Sequence, residues 1–506
     1  MNRRKFLRQT LQGTAALATA GMGCNQAIHR TPRQAHTRRE TSVNTRTRPN
    51  VVLILADDLG YGDMSCYGNA DLPTPFLDRL AGEGVRLTQH YTCCPLCAPA
   101  RAGLLTGRYN HRTGALSVES NRGLDRIALR ETTIADVFQS AGYATGMVGK
   151  WHNGLFDMKH HPNNRGFEEF AGFLNGGMKY YDWILDYNGT PVRSDGRYLT
   201  DVFSDESVSF IERHKEEPFF LYVSYNAPHS PHEAPEEEIQ AFLETGKFNE
   251  MVCKLYAQIT SMDKGIGRIL ETLDKNGLAD NTIVLFTSDN GPRLGGYHGF
   301  DMSRYNGPFR GMKQDTLEGG IRVPAVVRWP GRIPEGTEFH DMVHFTDWMP
   351  TLMAAARIEK TPALPFDGAN VLPPLKGLHG KTPDKRFWQF NRYTPVKNCN
   401  AAMRDGDWKL YWPRIPEAMK KLKSDNGWYL KMMDTPHFEM EVTREPVERE
   451  LSAPGQPQLY NIRQDPYEDN DLSSQQPARL TRMKEDLENW FDEVEAERRS
   501  LPEQYL

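Results

Sequence analysis

Apolar runs of strand length recur along the chain at Val51 to Ala56, Ala144 to Val148, Phe219 to Tyr225, Thr282 to Thr287 and Ala325 to Trp329. None of them alternates apolar with polar residues. Each is therefore expected to be a strand buried on both faces, as in a parallel sheet covered by helices. Between the runs the apolar spacing becomes helical. Thr74-Pro75 opens a helix that closes at Gly84, and Thr133 to Ala141 forms another ended by Gly142. Val252, Leu255, Ile259, Met262, Ile266, Ile269 and Leu273 mark one face of a long helix stopped at Gly277. Strand and helix in alternation predict a doubly wound α/β domain, placed here at residues 50–371. Past about residue 372 the texture changes to short aromatic segments at Phe387 to Phe390, Trp408 to Trp412 and Leu459 to Asn461, with turn signals between them. They predict a small antiparallel sheet which, with a charged terminal helix over Ala478 to Arg499, makes a C-terminal α+β subdomain at residues 372–506.

The N-terminus follows a different pattern. Asn2-Arg3-Arg4-Lys5-Phe6-Leu7-Arg8, followed by the mildly apolar Thr10 to Gly23, has the form of a twin-arginine export signal at residues 1–24. A translocase partner and a periplasmic or cell-surface destination follow from that reading. Gly21-Met22-Gly23-Cys24 is close to a lipobox but lacks its leucine, so lipidation at Cys24 is a minor alternative to simple cleavage. Residues 25–49, rich in Thr, Arg, Gln and His, have no periodicity and read as a flexible linker. No apolar run approaches the roughly 18 to 20 residues of a spanning helix.

With 506 residues, 39% hydrophobic and 25% charged, the chain is long enough for one large domain plus a smaller one. Residues 1–50 carry ten Lys/Arg and one acid; without them 51 basic residues face 65 acidic ones, a net charge near −14. Such a body disfavours nucleic acid, and an anionic substrate would need a local cationic pocket or a bound metal. Seven cysteines are too few and too irregular for a disulfide framework.

In open α/β sheets ligands bind beyond the carboxyl ends of the strands. The residues that follow the apolar runs are strongly polar: Asp57-Asp58, Lys150 and His152, His229, and Asp289-Asn290. Singly, each reads as a solvated loop or a turn. Together they bring carboxylates, an amide, a lysine and two histidines to one rim, where adjacent carboxylates call for a hard divalent cation held by oxygen. Calcium suits a flexible shell of that kind. A further helix start is expected at Cys97, because Pro99 suits a first turn, Ala100 to Leu105 favour helix and Gly107 can end it. Such a start favours anions, although a lone cysteine is more often a buried structural residue.

Cys97-Ala98-Pro99-Ala100-Arg101, running into Leu104-Leu105-Thr106-Gly107-Arg108, resembles the signature of the type I sulfatases. So do Leu53 to Gly62, Gly149-Lys150-Trp151-His152, Ala227-Pro228-His229, Ser288 to Gly291, Gly311-Met312-Lys313 and Glu318-Gly319-Gly320, in the family's order and over nearly the whole chain after Asn50. The resemblance implies an alkaline-phosphatase-like fold with a large, mainly parallel sheet. It implies a sulfuric ester hydrolase in which a maturation enzyme oxidises Cys97 to formylglycine, whose hydrate is the nucleophile. It also implies a calcium ion on Asp57, Asp58, Asp289 and Asn290, completed by residue 97. Arg101 would hold the hydrate and the carboxylates, Lys150, His152, His229 and Lys313 would surround the sulfate, and Asp289 could serve as base. His229 and Lys313 would assist the leaving oxygen, and His152 would help the second hydroxyl expel sulfate. Ala100 stands where many members have Ser, and Asn153 replaces an apolar residue in what is read as the pocket wall.

The segment Ser303 to Gln314 resembles the arylsulfatase A and N-acetylgalactosamine-6-sulfatase branch, which favours a sulfated carbohydrate or an aryl sulfate. His232, His298 and Arg310, with Tyr180-Tyr181-Asp182-Trp183, could line the leaving-group pocket, although packing roles suit them as well. Two alternatives stay open: a phosphonate monoester or phosphodiester hydrolase of the same superfamily, and a non-catalytic binder of sulfated polysaccharide.

Overall fold

The structure, a computed structural model, describes residues 48–297, 299–359, 362–425, 433, 442–443 and 445–501. The export signal, Cys24, nearly all of the linker, and His298 lie outside the described residues.

Strand β1 (Asn50–Ala56) is buried along its whole length and sits in the middle of a ten-stranded sheet. The others, in chain order, are β2 (Val85–Leu87), β3 (Ala144–Lys150), β4 (Glu169–Phe173), β5 (Ile184–Tyr187), β6 (Thr190–Arg193), β7 (Phe219–Ser224), β8 (Thr282–Ser288), β9 (Ala325–Arg328) and β10 (Thr337–Phe339). Their order across the sheet is β10-β2-β9-β8-β1-β7-β3-β4-β5-β6. The five central strands, from β8 to β4, are parallel. Strand β9, expected among the parallel set, instead runs antiparallel to β8, Val326 opposite Phe286. An unbroken apolar run reports burial on two faces and carries no information about direction, which explains the misreading. The hairpin of β5 and β6 closes the opposite edge with Thr190–Arg193 exposed.

Helices cover both faces. Val51, Leu53 and Leu55 point to a cluster shared with α2 (Cys97–Thr106), α3 (Ile134–Ser140) and α7 (Trp348–Ala355). The alternate residues Val52, Ile54 and Ala56 meet α1 (Pro75–Gly82), α4 (Leu199–His214) and α5 (Glu250–Lys275) on the other face. Period-two alternation thus puts every apolar β1 side chain in one core or the other. Local chemistry sets the helix ends. The Asn249 side chain accepts Val252 N–H at the start of α5, and Thr133 and Asp136 form a reciprocal capping box on α3. Helix α4 was not anticipated; its start at Tyr198 has no side-chain cap to announce it.

A second, four-stranded antiparallel sheet is built from β11 (Lys385–Gln389), β12 (Ala401–Asp405), β13 (Trp408–Trp412) and β14 (Gln458–Asn461). Met403, Leu410 and Leu459 pack on Met483, Leu487, Phe491 and Val494 of the terminal helix α8 (Pro477–Arg499). A buried ionic knot ties this sheet to the first. Lys409 of β13 reaches Glu318 at 3.0 Å and Glu468 at 2.8 Å, and Glu318 opens the short helix α6 (Glu318–Ile321).

Candidate active site

The rim is built where β1, β3, β7 and β8 end. Asp57 N–H donates to Ala227 O at 3.0 Å, and Asp289 N–H to Ala56 O at 3.1 Å, so the backbone itself brings three strand ends together. Asp58 and His152 both adopt left-handed backbone conformations, φ 66° and 55°, an uncommon state for such residues that turns their side chains inward. His152 lies against Gly176, where a Cβ would come within 2.8 Å of the imidazole, so only glycine admits the ring there.

Cys97 is the first residue of α2 and is 2% exposed. Lys313 Nζ stands 3.1 Å from its sulfur and 2.6 Å from Asp58 Oδ1. Lys150 Nζ is 2.5 Å from Asp57 Oδ2, both groups fully buried. Arg101, also buried, donates from Nε and Nη2 to Asp289 Oδ2 at 3.0 and 2.7 Å, and from Nη1 to Ser224 Oγ at 2.5 Å and Lys150 O at 3.2 Å. Three cations therefore face three carboxylates. His229 Nδ1 bonds Ser230 O at 2.8 Å, which leaves Nε2 facing Asp58 Oδ2 at 3.9 Å.

Burial sets the protonation states, modified by these neighbours. It pushes the Cys97 thiol up to about 12 against the pull of Lys150 and Lys313, so the thiol is not a ready nucleophile at neutral pH. It raises the Asp289 carboxyl to about 6, with Asp57 adding repulsion. Burial would raise Asp58 too, but the Lys313 charge and the hydrogen bonds from Lys313 and Asn290 hold it well below the usual carboxylate range. His152 and His229 are kept neutral, first by burial and then by Lys150 and Lys313 respectively.

Ligand atoms of Asp57, Asp58, Cys97 and His229 lie within 4.8 Å of one another. Asp57 Oδ1 and Asn290 Oδ1 are buried without a hydrogen-bond partner, a costly state for oxygens unless something positive completes them. Asn290 Nδ2 is turned away to Asp58 Oδ1 and Gly291 O. Asp289 Oδ2 takes both Arg101 hydrogen bonds, whereas Oδ1, which accepts Asp58 N–H, retains a lone pair. A divalent cation fits this donor set.

A cavity of about 40 Å³ opens on Asp58 and Lys313 and is also lined by His229, His232, Arg293 and Arg304. Of the leaving-group residues expected from sequence, His232 lines it. Arg310 does not; it is exposed and donates to Tyr460 Oη at 3.1 Å. Arg304, from the same segment, lines the cavity instead: its side chain is buried and paired with Asp63, which also accepts Gly60 N–H at 2.7 Å. Tyr180 supports the rim from below, its hydroxyl donating to Asn226 O or His229 O, each at 2.9 Å, while Trp183 is core and Tyr181 is exposed. Asn153 is fully buried beneath the start of α2, its amide donating to Ala98 O at 2.9 Å, and is absent from the cavity wall. Sequence reading missed Ser224, Asp63 and Arg304. The only signal for them was position, at a strand end and in the Gly60-Tyr61-Gly62-Asp63 turn.

A profile described as Sulfatase matches residues 49–358. The chain belongs to the sulfatase family. A second profile, N-sulphoglucosamine sulphohydrolase, C-terminal, matches residues 312–418 of this sulfatase. It is 34% identical over 453 residues to steryl-sulfatase of Rattus norvegicus, covering 72% of this chain and 77% of the relative. It is 35% identical over 372 residues to N-acetylgalactosamine-6-sulfatase of Homo sapiens, covering 68% of each. A crystal structure of Ps i-CgsB in complex with k-i-k-neocarrahexaose superposes with TM-score 0.72 at 31% identity, covering 88% of this chain and 92% of that one. The sulfatase is thus an enzyme of sulfate-ester hydrolysis on an alkaline-phosphatase-like fold. Among the described residues no helix is long and apolar enough to cross a membrane.

Proposed function

We propose that this sulfatase cleaves sulfate monoesters of carbohydrates with residue 97 as nucleophile, after oxidation of Cys97 to formylglycine, beside a calcium ion. The observation that carries this is the placement of the Cys97 sulfur, buried at a helix start, 3.1 Å from Lys313 Nζ and among the side chains of Asp57, Asp58 and His229. A thiol held near pKa 12 is poorly suited to attack by itself, which favours its conversion. Formylglycine supplies a hydrated aldehyde, a nucleophile that can later release its ester by re-forming the carbonyl. Calcium, on Asp57, Asp58, Asp289 and Asn290, supplies positive charge to sulfate oxygens.

The remaining work falls to the chain's own side chains. Arg101 and Lys150 neutralise Asp289 and Asp57 and fix their oxygens. To Lys313, the cation nearest residue 97, we assign the offsetting of charge on the departing sugar oxygen, with His229 beside it in the same wall. To His152, whose buried Nδ1 has no hydrogen-bond partner, we assign the taking of a proton at residue 97. The likeness to N-acetylgalactosamine-6-sulfatase and to Ps i-CgsB, whose structure holds k-i-k-neocarrahexaose, supports the substrate class. A basic wall of Lys313, Arg293 and Arg304 fits the charge.

The test compares 4-nitrophenyl sulfate, a sulfated monosaccharide and bis-4-nitrophenyl phosphate. Turnover of both sulfates, abolished by Cys97→Ala, is the expected result; a large preference for the phosphate diester would transfer the protein to phosphodiester hydrolysis.

A further inference from the structure

His232 lines the wall of the cavity that opens on Lys313 and Asp58. Its Nδ1 stands 3.0 Å from Gln258 Oε1. Gln258 is fully buried in α5, and its amide nitrogen donates to Pro231 O at 3.4 Å, which turns its carbonyl oxygen toward the imidazole. An amide oxygen only accepts, so Nδ1 carries the proton and Nε2 keeps a bare lone pair. Nε2 is buried and has no hydrogen-bond partner in the protein. Burial lowers the basicity of the ring, which keeps it neutral and preserves the lone pair.

The charged groups around it have the opposite character. Lys313, Arg293 and Arg304 are donors, matched to the acceptor oxygens of a sulfate ester. The Asp58 carboxylate is already engaged by Lys313 and Asn290. Leu255 and Met302 add apolar surface suited to the C–H face of a pyranose. His232 Nε2 is a polar atom of this wall that asks for a donor.

We propose that His232 is a specificity-determining residue whose Nε2 accepts a hydrogen bond from a sugar hydroxyl next to the sulfated carbon. The inference rests on the sulfatase reading and deepens it. The enzyme selects esters with a free hydroxyl at the neighbouring position, and a second sulfate there is rejected, because its oxygens would meet a lone pair. Gln258 is the positioning residue that fixes the tautomer.

The test screens galactose 2-sulfate, 3-sulfate and 4-sulfate with the full chain, and compares the fastest with its analogue deoxygenated at the adjacent hydroxyl-bearing carbon. 4-Nitrophenyl sulfate, which has no such hydroxyl, is the control. His232→Phe is expected to lower kcat/KM on the sugar sulfate about tenfold or more and on 4-nitrophenyl sulfate by less than about threefold. His232→Gln, which returns an acceptor near Nε2, recovers most of the loss. Wild type prefers the parent sugar to its deoxy analogue by a similar factor, and His232→Phe does not discriminate. Equal losses on both classes of ester, or a wild type indifferent to deoxygenation or inactive on all three sugars, would overturn the inference. Should His232→Phe fail to fold, the wild-type comparison of parent and deoxy sugar decides alone. A wild type that hydrolyses no sulfate ester at all would instead sink the sulfatase reading beneath it.

Discussion

Lys313 has one carboxylate and one sulfur within hydrogen-bond reach, and few residues in the chain have a clearer task. Removing its charge leaves Asp58 without its cation and the departing oxygen without its nearest donor. Lys313→Ala should lower kcat/KM for sulfate monoesters by about 10²- to 10³-fold, read from initial rates, with the melting curve used to confirm folding. Gly176 offers a quieter test. A methyl group there must displace the His152 ring, so Gly176→Ala should reduce kcat by about tenfold or more while changing stability little, and an unchanged kcat would show that the ring's position is not critical. At this scale the sequence was legible wherever a candidate residue ends a strand, as Lys150 does, or directly follows one, as Asp57 and Asp289 do. It was opaque where orientation decides. Arg304 and Arg310 lie in one segment and look alike as letters, yet Arg304 is folded inward by Asp63 and Arg310 rests on Tyr460.

Among the elements, the loop bearing Lys313 depends on charges well outside the site. Glu318 is fully buried; burial would raise its carboxyl, but Lys409, Arg404 and Arg322 hold it at about 2, fully ionised. Breaking a buried pair strands a charge, so Lys409→Met should cost about 3–5 kcal/mol of unfolding free energy, measured by urea titration. Asp263 of α5 presents the opposite case. Burial raises its carboxyl from 3.8 to about 7, although it accepts the N–H groups of Phe76 and Leu77 at the start of α1. The folded protein thus binds the extra proton, and this residue's contribution to stability falls as pH rises from about 4 to about 7. Asp263→Asn should flatten that slope in urea melts across the window; an identical slope would contradict the assignment. Strands β1, β3, β7, β8 and β9 were readable from apolar runs, while the other strands of the large sheet, the direction of β9 and the existence of α4 were not, since neither burial nor an uncapped helix start marks β9's direction or α4.

Taken whole, the molecule places four strand ends and one helix start around a point where buried oxygens of Asp57 and Asn290 have no hydrogen-bond partner. A cation there should stabilise the fold as well as the reaction. Chelation with EGTA should lower the melting temperature and abolish most hydrolysis, and added calcium should restore both. Indifference to chelation would remove the metal from the account. The central claim is narrower still, that residue 97 in the working enzyme is an aldehyde. Mass spectrometry of the tryptic peptide spanning Cys97, taken from protein of measured sulfatase activity, tests it directly. The account predicts the mass change of CH₂SH to CHO in a fraction that tracks activity across preparations; fully active enzyme with an unmodified thiol would contradict it.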